Sequence, residues 1–218
     1  MNAPRLSRVT TGSAIDLLVL HAVRLAGMAD DHQVAARYGL ERPATSELLL
    51  DLQAYGWVSR VDFAGTGGWT LTDTGRRRNE QQLAAELATV RAGAVVAAVH
   101  RDFLPSNARL LRATTDWQLR PDASDPLAPN AHDDPDWDAR VIDDLTRIGD
   151  DLEELEPRLT SKLSRFAGYH ARFTGALSRV RDGDSSWVTR IREDSCHTVW
   201  MELHEDLMAT LGLQRGLD

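Results

Sequence analysis

Residues 57–75 constrain the fold more than any other part of this chain. Two short alternating apolar runs, Trp57 to Phe63 and Trp69 to Leu71, flank the turn Ala64-Gly65-Thr66-Gly67-Gly68. Glycine accepts the positive φ angles that a tight connection requires, so the pattern predicts a β-hairpin. A helical pattern ends just before it at Tyr55-Gly56, and glycine suits a helix C-terminus. Helix, glycine stop, strand, turn, strand and a new helix from about Thr72 is the order of a winged helix-turn-helix. Such a unit carries its third helix into a DNA groove and lays the hairpin beside it.

The segment before the hairpin fits three helices. Ser13 is expected to cap the first, with Ile15, Leu18, Val19, Ala22, Val23 and Ala26 at helical spacing and Gly27 as the stop. Asp30 or Asp31 opens a second through Val34, Ala35 and Tyr38, closed by Gly39. Arg42-Pro43 begins the third, because proline loses nothing in a first helical turn. Leu48, Leu49 and Leu52 are expected to face the core, and Arg42, Thr45, Ser46, Leu50 and Gln53 the outside.

After the hairpin, residues 73–103 read as one long helix that Pro105 breaks. A helix over 106–120 follows, then a loop over 121–134, where Asp133 or Asp134 before Pro135 reads as a helix N-cap. Three further helical segments lie at about 135–155, 157–181 and 185–211, punctuated by Pro157 and Gly183. The expected architecture is mainly α: a winged helix-turn-helix with a small β-hairpin wing over 1–75, a long linking and dimerisation helix over 76–104, and a helical ligand-sensing domain over 105–218.

Leu48-Leu49, Leu52, Gly56-Trp57-Val58 and then Gly67-Gly68-Trp69-Thr70-Leu71-Thr72-Asp73-Thr74-Gly75-Arg76 resemble the recognition helix, wing and following helix of MarR-type regulators. In that family a Leu-Thr-x-x-Gly signature marks the exit from the wing into the dimerisation helix. The resemblance covers roughly residues 13–100. The second half is longer than the usual MarR tail and looks like the helical extension of actinobacterial winged-helix regulators. The resemblance implies a homodimeric, ligand-responsive repressor of transcription bound to double-stranded DNA.

Charge bears on this reading. The net charge is −8, but residues 1–80 hold nine arginines and nine acids, so the whole excess lies in residues 81–218. A neutral head on an acidic body is compatible with DNA binding, although a basic face is the stronger sign. The DNA-contacting residues are expected to be Arg42, Thr45 and Ser46 at the start of the third helix, Arg60 on the wing and Arg76 after it. Glu47 and Asp51 on the same helix repel phosphate, although an acid also reads cytosine N4. A second reading follows from them: a protein-interaction module whose winged helix no longer binds DNA. The run Arg76-Arg77-Arg78 fits a solvated helix face or a phosphate grip.

Four of the six tryptophans lie in the second half. Aromatics with a polar handle line small-molecule pockets as well as cores. A site for an acidic or aromatic effector is expected there, lined by Trp117 and Trp200 with Arg109, Arg112 and His204 as polar anchors. The alternative is core packing for the tryptophans and an intrahelical ion-pair face for Arg109, Arg112 and Asp116. His197 and His204 are seven apart on one helix, about 10 Å, too far to share an ion directly. Cys196 and His197 point away from each other, and the acids of 132–138 lack the alternate spacing and glycine of a calcium loop. No metal, cofactor or catalytic centre is expected, and a metal- or cysteine-dependent enzyme is the least supported class.

The chain has no run of about 18 apolar residues, which argues against a membrane span. Its N-terminus lacks the apolar core of a secretory signal, and a single cysteine fits a reducing compartment, so a cytoplasmic location is expected.

Overall fold

The computed structural model describes residues 12–213 apart from 64, 65 and 192; the expectations made for the extreme N-terminus and for the centre of the hairpin turn lie outside them. The protein is mainly helical, with one two-stranded antiparallel sheet among the described residues. The chain divides into two units, one of Met1–Val96, Ser161–Arg165 and Glu205–Asp218, the other of Ala97–Thr160 and Phe166–His204. This differs from the boundaries expected at 75 and 104, because two later segments belong with the N-terminal elements.

The first unit begins with α1 (Ile15–Ala26), which buries Leu17, Val19, Leu20, Ala22, Val23 and Leu25 and stops at Gly27, φ 70°. Its N-cap is Ala14 without a side-chain bond, not the expected Ser13. Helix α2 (Asp31–Arg37) starts with a reciprocal capping box: Gln33 N donates to Asp30 Oδ1 at 2.8 Å and Asp30 N to Gln33 Oε1 at 2.9 Å. Helix α3 (Arg42–Ala54) carries Pro43 in its first turn and buries Thr45, Leu49 and Leu52.

Strands β1 (Val58–Phe63) and β2 (Thr66–Leu71) pair with Val58 opposite Leu71 and Arg60 opposite Trp69. Ala29, between α1 and α2, adds an isolated bridge to Trp69, the two residues exchanging N–H···O bonds of 3.1 and 2.7 Å. Trp69 thereby packs into the core formed by Val19, Leu20, Val23, Leu49, Leu52 and Val58.

Thr72 ends the hairpin and caps α4 (Asp73–Thr89). Its hydroxyl donates to the Gly56 carbonyl at 2.6 Å and accepts from Gly75 N at 3.0 Å. A Cβ on Gly75 would lie 1.8 Å from the Trp57 carbonyl oxygen, so only glycine lets α4 start this close to the hairpin. The Leu-Thr-x-x-Gly run is therefore a packing requirement of the corner as well as a signature.

The single helix expected over 73–103 is two helices. Residues 90–92 break it, with Arg91 at φ 51°, and α5 (Gly93–Gln118) follows. Pro105 does not end α5. The proline removes one bond, to the carbonyl of Arg101, and both residues lie on the exposed side where water replaces it. Pro157 is likewise exposed inside α6 (Pro135–Thr160), so the helix expected over 157–181 begins only at α7 (Tyr169–Arg181). Between α5 and α6 the expected loop is present, and Asp134 caps α6 by accepting from the amides of Asp136 and Trp137 at 3.1 Å each.

In the second unit, α6 buries Val141, Leu145, Ile148, Leu152, Leu155 and Leu159 at three- and four-residue steps, facing Phe173, Ala176, Leu177 and Val180 of α7. Helix α8 (Cys196–Leu211) follows, and its last turns return to the first unit. There Asp206 and Arg165 pair with no solvent exposure. Arg165 also donates to Glu86 at 2.9 Å and Thr210 at 2.7 Å, while His21 bridges Asp206 at 3.0 Å and Asn79 at 3.1 Å. No single helix among the described residues is long and apolar enough to cross a membrane.

Candidate nucleic-acid interface

Asp31, the first residue of α2, ties three elements together. Its Oδ2 accepts from Ser46 Oγ of α3 at 2.5 Å and its Oδ1 from Trp69 Nε1 of β2 at 2.7 Å. The Ser46 hydrogen bond chiefly holds this carboxyl below the ordinary carboxylate range, against the effect of burial and with help from Trp69, Arg60 and Arg42. One carboxylate thus fixes the angle between α2 and α3 and seats the hairpin against both. Sequence reading missed this role, because an acid at a helix start is sufficiently explained by the helix dipole.

Two of the expected DNA contacts are elsewhere. Thr45 is fully buried, its hydroxyl donating to the Glu41 carbonyl at 2.9 Å. It shares the inward stripe with Leu49 and Leu52, four and seven residues on. A threonine that finds a carbonyl one turn back is buried without an orphaned hydroxyl, so polarity alone misplaced it. Ser46 is half-buried and spends its hydroxyl on Asp31.

The arginines reach solvent. Arg42 is exposed at the start of α3, and Arg60 is exposed on β1 with its guanidinium 5.6 Å from the Trp69 ring centroid. Arg76 is about half exposed, 3.7 Å from Glu205. Within the triple run, Arg77 is exposed and bonds Thr74 at 3.2 Å, whereas Arg78 lies 5.0 Å from the Trp57 ring centroid. The outward stripe of α3 is Pro43, Glu47, Leu50 and Ala54, with Leu50 57% exposed.

The structure does not bring Trp117 together with Trp200 and His204. Trp200 is fully buried, stacked on Phe103 at 4.5 Å, and donates Nε1 to Asn107 at 3.0 Å. His204 belongs to the same stack, 5.4 Å from Phe103 and 6.3 Å from His100. Trp117 is 14 residues further along α5 than Phe103, about 21 Å. Its ring lies 4.6 Å from His132. Arg109 pairs with Asp151 at 3.0 Å and Arg112 is exposed. The two tryptophans therefore serve separate clusters. Cys196 is buried, and burial pushes its thiol up to about 12, which makes it a poor nucleophile.

A cleft of about 410 Å³ lies instead in the first unit, between α4, the start of α5 and the end of α8. Ala84, Leu87, Ala88, Ala209 and Leu211 form apolar walls, and Glu80 and Arg91 are the charged residues of the lining.

Compared with known proteins, the chain matches no protein-family model, no curated protein and no solved structure. Its functional reading rests on its own geometry.

Proposed function

We propose that this chain is a DNA-binding regulator of transcription, a homodimeric repressor of MarR-like winged helix-turn-helix design that answers to a small molecule. The observation that carries the reading is the corner built on Asp31, where Ser46 and Trp69 hold α3 and the hairpin at a fixed angle. A helix fixed beside a hairpin, with Arg42 exposed at its own start and Arg60, Arg76 and Arg77 exposed on the flanking elements, suits insertion into a major groove with phosphate contacts on either side. The isolated Ala29–Trp69 bridge supports it too, since it ties the connection between α1 and α2 to the hairpin.

In this reading two α3 helices sit one turn of DNA apart, so any shift between subunits spoils binding. The effector acts by preferring one of two arrangements of the dimer. The cleft lined by Ala88, Leu211 and Arg91 suits an acidic or aromatic molecule better than the separated tryptophan clusters do, because apolar walls and an arginine are already assembled there, with Glu80 the one acid of the lining.

A second reading, a protein-interaction module, is favoured by the outward face of α3, which carries Leu50 and Glu47, with Tyr55 just beyond at 67% exposure. Retardation of random-sequence duplex at two salt concentrations separates the two. Phosphate contacts weaken steeply with salt, and a chain that retards no duplex at low salt is the interaction module.

A further inference from the structure

Resting on the DNA-binding reading, we infer that Glu47 is the residue of α3 that selects the base, and that it selects cytosine. The outward stripe Pro43, Glu47, Leu50 and Ala54 lies half a turn round the helix from the buried stripe Thr45, Leu49 and Leu52. Glu47 is its one polar side chain, and it has no hydrogen-bond or ion-pair partner among the described residues. The stripe holds no arginine, lysine, asparagine or glutamine, the side chains that read guanine or adenine bidentately.

An ionised carboxylate only accepts hydrogen bonds. In the major groove the exocyclic amines of cytosine and adenine are the donors, and adenine places its N7 acceptor beside that amine. Cytosine places no acceptor next to N4 on its own edge, so the carboxylate meets a donor without repulsion. Elsewhere Glu47 stays unpaired in a phosphate-lined groove and weakens binding. Selection thus comes from penalising the other bases as well as from favouring one. Leu50, one turn further along the stripe, offers the apolar contact that a thymine methyl accepts.

The test is enrichment of random duplexes by the full chain and by Glu47→Gln and Glu47→Ala, with circular dichroism as a folding control. The wild-type chain should enrich cytosine at one position of each half-site. Glu47→Gln should move that position towards adenine, which an amide reads bidentately. Glu47→Ala should lose the preference and hold random duplex more tightly. Replacing that cytosine by 2-pyrimidinone, which lacks the amine, should cost the wild-type chain about tenfold in affinity and Glu47→Ala nothing. A wild-type consensus without cytosine, or one that Glu47→Gln leaves unchanged, overturns this inference and leaves DNA binding standing. A wild-type chain that retards no duplex at low salt overturns both.

Discussion

Arg165 and Asp206, 41 residues apart in sequence, form an ion pair from which solvent is wholly excluded. Burial works against the Asp206 carboxylate, but Arg165 and His21 outweigh it and hold the group far below the ordinary range. Burial works against the guanidinium too, and Asp206 with Glu86 keeps it charged. Removing one partner leaves the other stranded, so Asp206→Asn should lower unfolding free energy by about 3–5 kcal/mol. Arg165→Met with Asp206→Leu should cost less than the single change, which denaturant titration of the two variants measures. Because the folded Asp206 value is depressed, its contribution is complete above about pH 4 and is lost as pH falls through the folded value. The wild-type chain should therefore lose stability on acidification below about pH 4 more steeply than Asp206→Asn does.

Gly75 tests the corner between hairpin and α4. A methyl group there meets the Trp57 carbonyl at 1.8 Å, a backbone atom that cannot swing aside. Gly75→Ala should destabilise the first unit by about 3 kcal/mol, a value set by the displacement needed rather than by helix propensity, which favours alanine. Thr72→Ala, which removes the cap alone, should cost about 1 kcal/mol. Equal melting temperatures for wild type and Gly75→Ala would show that the corner yields.

How far the sequence reveals this molecule depends on the range of each interaction. Gly27 and Gly56 act within a few residues and are legible, as are the helix starts at Asp30 and Asp134 to within one residue, whereas the reciprocal bond from Asp30 N to Gln33 is seen only in the structure. Pro105 and Pro157 are not, because whether a proline ends a helix depends on whether water reaches the carbonyl it strands. Thr45 was misplaced because one local hydrogen bond satisfies its hydroxyl in the core. The Arg165–Asp206 pair and the distance between Trp117 and Trp200 depend on tertiary placement, which no local pattern reports.

For the proposed interface, alanine substitutions at Arg42, Arg60 and Arg76 should each weaken retardation of all duplexes similarly and lower the salt slope by about 1. Ser46→Ala should differ in kind. It removes the bond that holds the Asp31 carboxylate against α3, so its effect on binding should come with a lower melting temperature. Loss of affinity without loss of stability in Ser46→Ala would return that hydroxyl to the DNA.

The proposed dimer needs a face, and the expected dimerisation helix over 76–104 is partly spent within the chain, since Leu83, Val96 and Val99 are buried. Further along α5, Ala97, Arg101, Leu104, Ala108, Leu111 and Thr115 lie exposed at three- and four-residue steps, with Leu104 38% and Leu111 49% accessible. That spacing forms one stripe, and its alanines allow a second helix to approach closely. Two copies running antiparallel about Ala108 would bring Leu104 of each near Leu111 of the other, and Arg101 of each near Asp116. Such a contact is self-complementary, as a twofold interface must be. Leu104→Glu with Leu111→Glu should therefore convert a dimer to a monomer in sedimentation at micromolar concentration. Circular dichroism should stay unchanged, because both side chains already face solvent in the single chain. The monomer should also bind its operator at least tenfold more weakly, since it gives up the linked second half-site. A double variant that sediments as the wild-type dimer would place the interface on another face.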